Sequence, residues 1–359
     1  MDIQQASSLA SSAVTAAIPL MFAGVGELVT EKSGVLNLGV EGMMLMGAVT
    51  GYAVTTITGS PWLGLVAGMA AGVVMSLLFG FLVLTMLANQ VATGLSLTIF
   101  GVGLSAYVGK PYTSAAASAT IAAWPIPGLS QLPVVGQAFF SLTPVDYLAF
   151  IMFAVVAWFL YRTRAGLVLR SVGESPQVAH SVGFPVIGVR YGATAFGGAM
   201  AGLAGSYYSV VQLHLWQEQI TAGRGWIALA LVVFATWRPG RLLIGALLFG
   251  AVTGAQFYAQ AVGVPVPTQF LAMLPYVATI VVLVLISRNP NTIRLNAPAS
   301  LGKPFFGAAA VGPPRWGRPG GAAQGAPKWR RLSDGRHPQC RPTRLERSQL
   351  SHPRQENPR

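Results

Sequence analysis

The stretch KSGVLNLGVEGMMLMGAV, Lys32 to Val49, sets an asparagine and a glutamate inside an otherwise apolar run. A charged group at membrane depth costs at least about 2.5 kcal/mol on insertion scales, so it faces a cavity or a partner rather than lipid. On a helix Asn37 and Glu41 lie four residues apart on one face, and Glu27 and Glu31 form a second such pair. Gly34, Gly39 and Gly42 fall within the same few residues, weaken a helix there, and invite a break whose backbone groups line a cavity. Two readings follow: the polar pair bonds neighbouring helices, or it lines or gates a solute path. The second is the expectation taken forward.

Outward from this stretch, hydrophobic residues make up 53% of the 359 and charged residues 9%, with mean hydropathy +0.57; soluble domains carry about 25% charged residues. Apolar runs long enough to cross a bilayer recur, near residues 11–29, 34–57, 62–87, 90–109, 144–161, 189–212, 225–237, 241–261 and 270–287. The fold class expected is all-α, a polytopic transmembrane helix bundle of about eight to ten spans over residues 1–302. The first basic residue is Lys32, so a cleavable leader is not expected and the first span stays.

The formal charge of +13 sits mostly at the end: from Ser300 onward twelve basic residues face three acidic ones, a net of +9, which leaves +4 before it. Residues 303–359 read as a Pro-, Gly- and Arg-rich tail that cannot bury enough surface to fold. Its charge offers contact with anionic lipid, and nucleic acid is not expected as a partner. Arg162, Arg164, Arg170 and Arg190, then Arg238 and Arg241, then Arg288 and Arg294, place three regions on the cytoplasmic side. The 110–143 and 213–224 segments fall outside, the former with an interfacial stretch around Trp124; the side of the N-terminus stays open. Glycines at helical spacing (Gly64, Gly68 and Gly72; Gly47 and Gly51; Gly198 and Gly202; Gly250 and Gly254) read as close-packing positions between helices.

Enzymatic readings fail on inventory. Before the tail there are two histidines, His180 and His214, no cysteine, and neither H-E-x-x-H nor G-x-S-x-G. Gly109-Lys110 and Gly302-Lys303 are each followed by proline, so no phosphate-binding loop is present. The single cysteine, Cys340, provides neither disulfide nor metal cluster. In the loop RTRAGLVLRSVGESPQVAHSVGFP, a short helix from Gly166 to Val172 is expected to stop at Gly173. Ser175 then caps a second, opened by Pro176 and ended by Gly183 and Pro185. Two short helices with an apolar stripe suit docking to another protein, or lying on the bilayer surface.

At these residues the chain resembles ABC-transporter permeases of the nucleoside and simple-sugar branch, related to ribose-type and branched-chain amino-acid importers. GELVTEKSGVLNLGVEGMMLMGAV is similar to their N-terminal signature and RSVGESPQVAHSVGF to their coupling loop, with Ser171 and Ser175 where Ala and Asn are usual. TAGRGWIALALVVFATWRPGRLLIGALLFG is similar to a third segment, with Trp226 in place of Phe or Tyr. The similarity spans residues 8–303. It implies a bacterial cytoplasmic-membrane permease for a small polar solute, a nucleoside before a simple sugar. ATP would be bound by separate ATPase subunits and no cofactor by this chain. A second permease, the same or a related chain, and a substrate-binding lipoprotein or periplasmic protein complete the complex. By residue, it implies Asn37, Gly39 and Glu41 for the translocation path, and Gly173, Glu174, Ala179 and Gly183 for ATPase coupling. The alternatives are a proton-coupled secondary transporter working through Glu41 or Glu27, and a structural membrane subunit.

Overall fold

The computed structural model describes residues 3–113, 119–128, 130, 135–263, 266–287 and 296–306; among these every regular element is helical. The helices are α1 (Ile3–Lys32), α2 (Val40–Thr58), α3 (Pro61–Gly80), α4 (Gln90–Gly109), α5 (Val135–Phe140), α6 (Pro144–Arg162), α7 (Arg164–Glu174), α8 (Pro176–Ser181), α9 (Val186–Ser206), α10 (Arg224–Phe234), α11 (Pro239–Ala261) and α12 (Thr268–Ser287). α3 continues as a π-helical turn over Phe81–Thr85, and α9 over Tyr207–Gln212. Six helices among the described residues (α1, α2, α3 with its π turn, α4, α6 and α11) are long and apolar enough to cross a membrane.

α1 runs through the middle of the bundle, where Ile18, Leu20, Met21, Phe22 and Val25 have no exposed surface, against α9, α10 and α11. Beside it α2, α3 and α9 close on one another through the small residues the sequence marks. A Cβ on Gly72 would lie 2.0 Å from the carbonyl oxygen of Gly198, one on Gly47 2.3 Å from that of Gly202, and one on Gly51 2.5 Å from Ser206 Cβ. Gly250 and Gly254 of α11 meet Ala13 and Ala17 of α1 in the same way. In lipid, where burial of apolar surface drives no helix association, such backbone proximity supplies the packing energy. The outer faces of α3, α4 and α12 stay apolar and exposed, as at Val66, Ile99 and Ile280, and suit lipid or a further subunit.

Several expected boundaries are corrected. The span foreseen over 34–57 begins only at Val40, because Gly34 takes the left-handed conformation (φ 89°) and ends α1. Asn37 is therefore not on a helix with Glu41. The span foreseen over 225–237 is the 11-residue α10, too short to cross. Gly223, at φ 80°, starts it, and Thr236 and Trp237, both in the left-handed region, end it. In the loop expected on the cytoplasmic side, α7 starts earlier than expected and runs through Gly173 to Glu174, since the Thr163 hydroxyl accepts from the Gly166 amide at 3.0 Å and secures its first turn. Ser175 does precede α8, yet its hydroxyl makes no cap bond.

Trp124 is exposed, and its amide donates to Leu142 O at 2.9 Å. α6 opens with a reciprocal cap, in which the Thr143 amide donates to Asp146 Oδ2 at 2.8 Å and the Asp146 amide to the Thr143 hydroxyl at 3.4 Å; Asp146 Oδ1 also accepts from the buried Tyr207 hydroxyl at 2.5 Å. Lys32, Arg170, Arg190 and Arg238 gather at the α7–α8 end, where Lys32 Nζ and Arg238 Nε both donate to Asn296. Two of the basic regions expected inside thus share one face. Arg288, Arg294 and the tail beyond Phe306 lie outside the described residues.

Gly72→Val should lower the unfolding midpoint of the detergent-solubilised chain by the equivalent of about 1–3 kcal/mol, as overpacking does. Gly103→Val, where a Cβ meets nothing within 4 Å, should leave it unchanged; thermal unfolding of the two variants side by side is the measurement.

Candidate functional site

The break between α1 and α2 occupies residues 33–39, and the fate of its backbone polar groups explains why it holds together in an apolar surround. The Gly34 amide donates to Glu31 O at 2.8 Å. The Leu36 amide donates to Gln90 Oε1 at 2.8 Å, and Leu38 O accepts from the Thr98 hydroxyl at 3.0 Å, so α4 supplies partners for the non-helical stretch. The Asn37 amide donates to Glu27 Oε1 at 3.2 Å, and Asn37 Oδ1 accepts from the Gly39 amide at 3.0 Å, closing an Asx turn into α2. Asn37 Nδ2 faces Met43 Sδ at 3.5 Å. Asn37 is wholly buried, and its side chain shapes the entry to α2.

Glu41 sits in the first turn of α2, 6% exposed. Its Oε1 accepts from the Thr221 hydroxyl at 2.6 Å and the Gly223 amide at 2.8 Å, and its Oε2 accepts from the Gly225 amide at 2.6 Å. The two amides belong to the cap and first turn of α10. One carboxylate thus joins the N-termini of two interrupted helices, where unpaired N–H groups and both helix dipoles favour negative charge. Gly225 permits the approach, since a Cβ there would lie 2.7 Å from Glu41 Oε2 and from the Glu41 backbone nitrogen. Gln219 and Ala222 flank these donors at φ 53° and 46°, a left-handed backbone that non-glycine residues rarely adopt. Next to the junction, the Arg224 guanidinium lies 4.4 Å from the Tyr208 ring centroid.

Below it the second acidic pair is also buried. Glu31 Oε2 accepts from Trp237 Nε1 at the far end of α10, while Glu31 Oε1 and Glu27 Oε2 have no hydrogen-bond partner. α10 is therefore held at both ends by carboxylates of the α1–α2 region. The resemblance names Glu41 and Asn37 without their partners; Thr221, Gly223, Gly225, Trp237, Gln90 and Thr98 were missed as site residues. The Gly-Arg-Gly at 223–225 was the available signal, since glycines around a helix start allow close approach. Among the described residues no group of three or more His, Cys, Asp or Glu could hold a metal.

The residues expected to couple to an ATPase sit at the α7–α8 end. Gly173 is buried, and a Cβ on it would fall 2.1 Å from Lys32 O. Glu174 is exposed, with its Oε2 accepting from the Ala299 amide at 2.9 Å. Ala179 packs beneath α8, and Gly183 makes the left-handed turn (φ 97°) that ends it. Gly173 and Glu174 join the end of α1 with residues 296–303, whereas Asn37 and Glu41 form the separate α2–α10 junction. Between α7, α8 and Asn296 lies an open groove of about 590 Å3 with Lys32, Arg170 and Glu174 on its walls.

Helices interrupted at a buried carboxylate, within a bundle packed by small residues, are an arrangement that membrane transport proteins use. The comparisons make the class specific. Residues 9–286 match the family described as branched-chain amino acid transport system / permease component. The chain is similar to the putative glucose ABC transporter permease protein TsgC13 of Haloferax volcanii, at 42% identity over 317 residues, covering 82% of this chain and 96% of that one. It is 33% identical over 321 residues to the guanosine ABC transporter permease protein NupQ of Bacillus subtilis, covering 85% and 99%. With the nucleoside ABC transporter permease protein NupC of Lactococcus lactis it shares 32% identity over 279 residues, covering 74% and 88%. The chain belongs to this ABC permease family: it is a multi-pass membrane component of a transport system and not itself an enzyme.

Glu41→Ala removes the acceptor for three donors. Charge-assisted hydrogen bonds contribute about 1.5–3 kcal/mol each, so exchange of the Gly223 and Gly225 amides should accelerate by roughly ten- to a hundredfold at 1.4 kcal/mol per decade. Glu41→Gln, which keeps one acceptor oxygen, should fall between; amide hydrogen exchange read by mass spectrometry over 219–228 reports the order.

Proposed function

We propose that this chain is one of two permease subunits in an ATP-driven importer of the cytoplasmic membrane. Its α7–α8 face docks a separate ATPase, and its solute path opens beside the α2–α10 junction. The observation that carries this reading is the α7–α8 pair: two short helices at the basic end, with Val178 60% exposed on the second and Val182 69% exposed just after it. Apolar side chains left in water beside arginines suit a protein partner, and family membership supplies its kind. A substrate-binding protein on the opposite face delivers the solute, since the family's members act as components of larger systems.

In this conformation both Glu41 oxygens are taken by the start of α10, so Glu41 acts as a gate tie rather than as a ligand contact. Asn37 and Gly39 set the entry to α2 on which that tie stands. Passage of a solute then requires α10 to move relative to α2, and the strained backbone at Gln219 and Ala222 favours α10 with its preceding segment as the moving part. Alternating access follows when ATPase closure is transmitted from α7–α8 to this junction.

For the cargo we propose a sugar-ring solute, a nucleoside first. The guanosine and nucleoside relatives support that order, and the more similar glucose relative supports a hexose as the second reading. The test is ATP hydrolysis in nanodiscs holding this chain, its ATPase and its second permease, with binding protein loaded with guanosine or glucose. Guanosine should stimulate turnover, and Val178→Asp should abolish ATPase co-purification. Stimulation by glucose alone replaces the nucleoside reading, and unchanged ATPase binding by Val178→Asp removes α8 from the docking surface.

A further inference from the structure

Residues 296–306 follow the last helix and lie across the α7–α8 end of the body. The Ser300 amide donates to Gly173 O at 3.0 Å and its hydroxyl to the same oxygen at 2.6 Å. The Gly302 amide donates to Gly34 O at 3.3 Å, and the Ala299 amide to Glu174 Oε2 at 2.9 Å. Phe305 is buried beside Val172, Ala179 and Val186, and its ring meets His180 edge-on at 5.6 Å between centroids. One short segment thus touches α7, α8 and the left-handed turn that ends α1.

Arg190 of α9 holds it there. With 1% of its surface exposed, Arg190 donates from Nε to Ser33 O at 3.2 Å, from NH2 to Ser300 Oγ at 3.1 Å and from NH1 to Lys303 O at 3.3 Å. All three acceptors are neutral. A buried guanidinium without a carboxylate carries a desolvation cost that carbonyl bonds only partly offset, so stability alone is a poor reason for an arginine here. Its planar fork reaches three acceptors in fixed directions, on two segments far apart in sequence, as no lysine does. The site is also tightly filled: a Cβ on Gly34 would lie 2.4 Å from Ser300 Oγ and 2.8 Å from Arg190 NH2.

We propose that residues 296–306 form a strap which, pinned by Arg190, makes the α7–α8 pair and the α1–α2 break move as one body, so that Arg190 is a positioning residue for transport. The inference rests on the reading of α7–α8 as the ATPase-docking face. ATPase movement enters at α7, passes through Gly173 and the strap to Ser33 and Gly34, and reaches Asn37 and Glu41 along a stretch of chain with no helix to absorb it. Without the pin, the ATPase still docks and hydrolyses ATP, but the junction no longer follows.

The test uses the assembled transporter in proteoliposomes and reads solute uptake and ATP hydrolysis together. Arg190→Lys keeps the charge and loses the fork; Ser300→Ala removes one acceptor and is read in its place if Arg190→Lys does not assemble. Uptake per ATP should fall roughly tenfold, the worth of about one net hydrogen bond, with hydrolysis within about twofold of the parent. An unchanged ratio, or equal loss of both activities, overturns the strap. A parent complex that hydrolyses ATP without solute uptake overturns the importer reading instead. The strap is then decided by hydrogen exchange: in Arg190→Lys the amides of 33–37 and of 299–303 must quicken together, and a change confined to one segment overturns it.

Discussion

The Glu41 carboxylate is the constraint around which this bundle is arranged. A helix leaves its first four amides without internal partners, and two such ends meeting in an apolar interior would leave a row of unsatisfied donors. Glu41 meets this need from within α2, accepting from Thr221, Gly223 and Gly225 while standing at the positive end of its own helix. The carboxylate needs the amides as much as they need it. That mutual dependence permits α10 to be only 11 residues long and α2 to begin part-way along the bundle, as broken helices do in transporters.

Two kinds of contact divide the molecule. Where α2, α3 and α9 meet, backbone lies on backbone, and the 2.0 Å that would separate a Gly72 Cβ from Gly198 O leaves no space for sliding. Such interfaces are close to rigid. α10 buries Ala228 and Val232 in the core and is in addition tied by side chains, to Glu41 at one end and Glu31 at the other. Hydrogen bonds to side chains exchange partners with less rearrangement than interlocked backbones, so a conformational change has a lower barrier along the polar ties than across the glycine seams.

Much of the frame was legible in the sequence because its causes are local. Long apolar runs marked the spans, and glycines four apart marked the seams, both from single-segment patterns. The break near Gly34 was legible for the same reason, since three glycines and an asparagine in one short stretch disfavour a helix. What stayed hidden depends on contacts distant in sequence. The hydropathy of residues 225–237 is that of a span, and only the partners of Glu41, 180 or more residues away, reveal a half-helix. Arg190 was readable as a cytoplasmic marker, but the acceptors at Ser33, Ser300 and Lys303 that give it a function belong to separate parts of the chain.

The positions of these contacts along the chain also bear on mechanism. Between the Ser33 carbonyl held by Arg190 and the Glu41 carboxylate held by α10 lie only seven residues, and those at 34–39 belong to no helix. A helix would dissipate a displacement over its turns and bring its own packing partners with it. A short non-helical stretch, with amides tied to Glu27 and Gln90, has little slack to take up. The hydrogen bonds that keep this irregular backbone tolerable in an apolar interior also restrict it, as the proposed transmission of movement from the α7–α8 end to the interior junction requires. On that proposal, backbone satisfaction and mechanical transmission are two consequences of one set of hydrogen bonds.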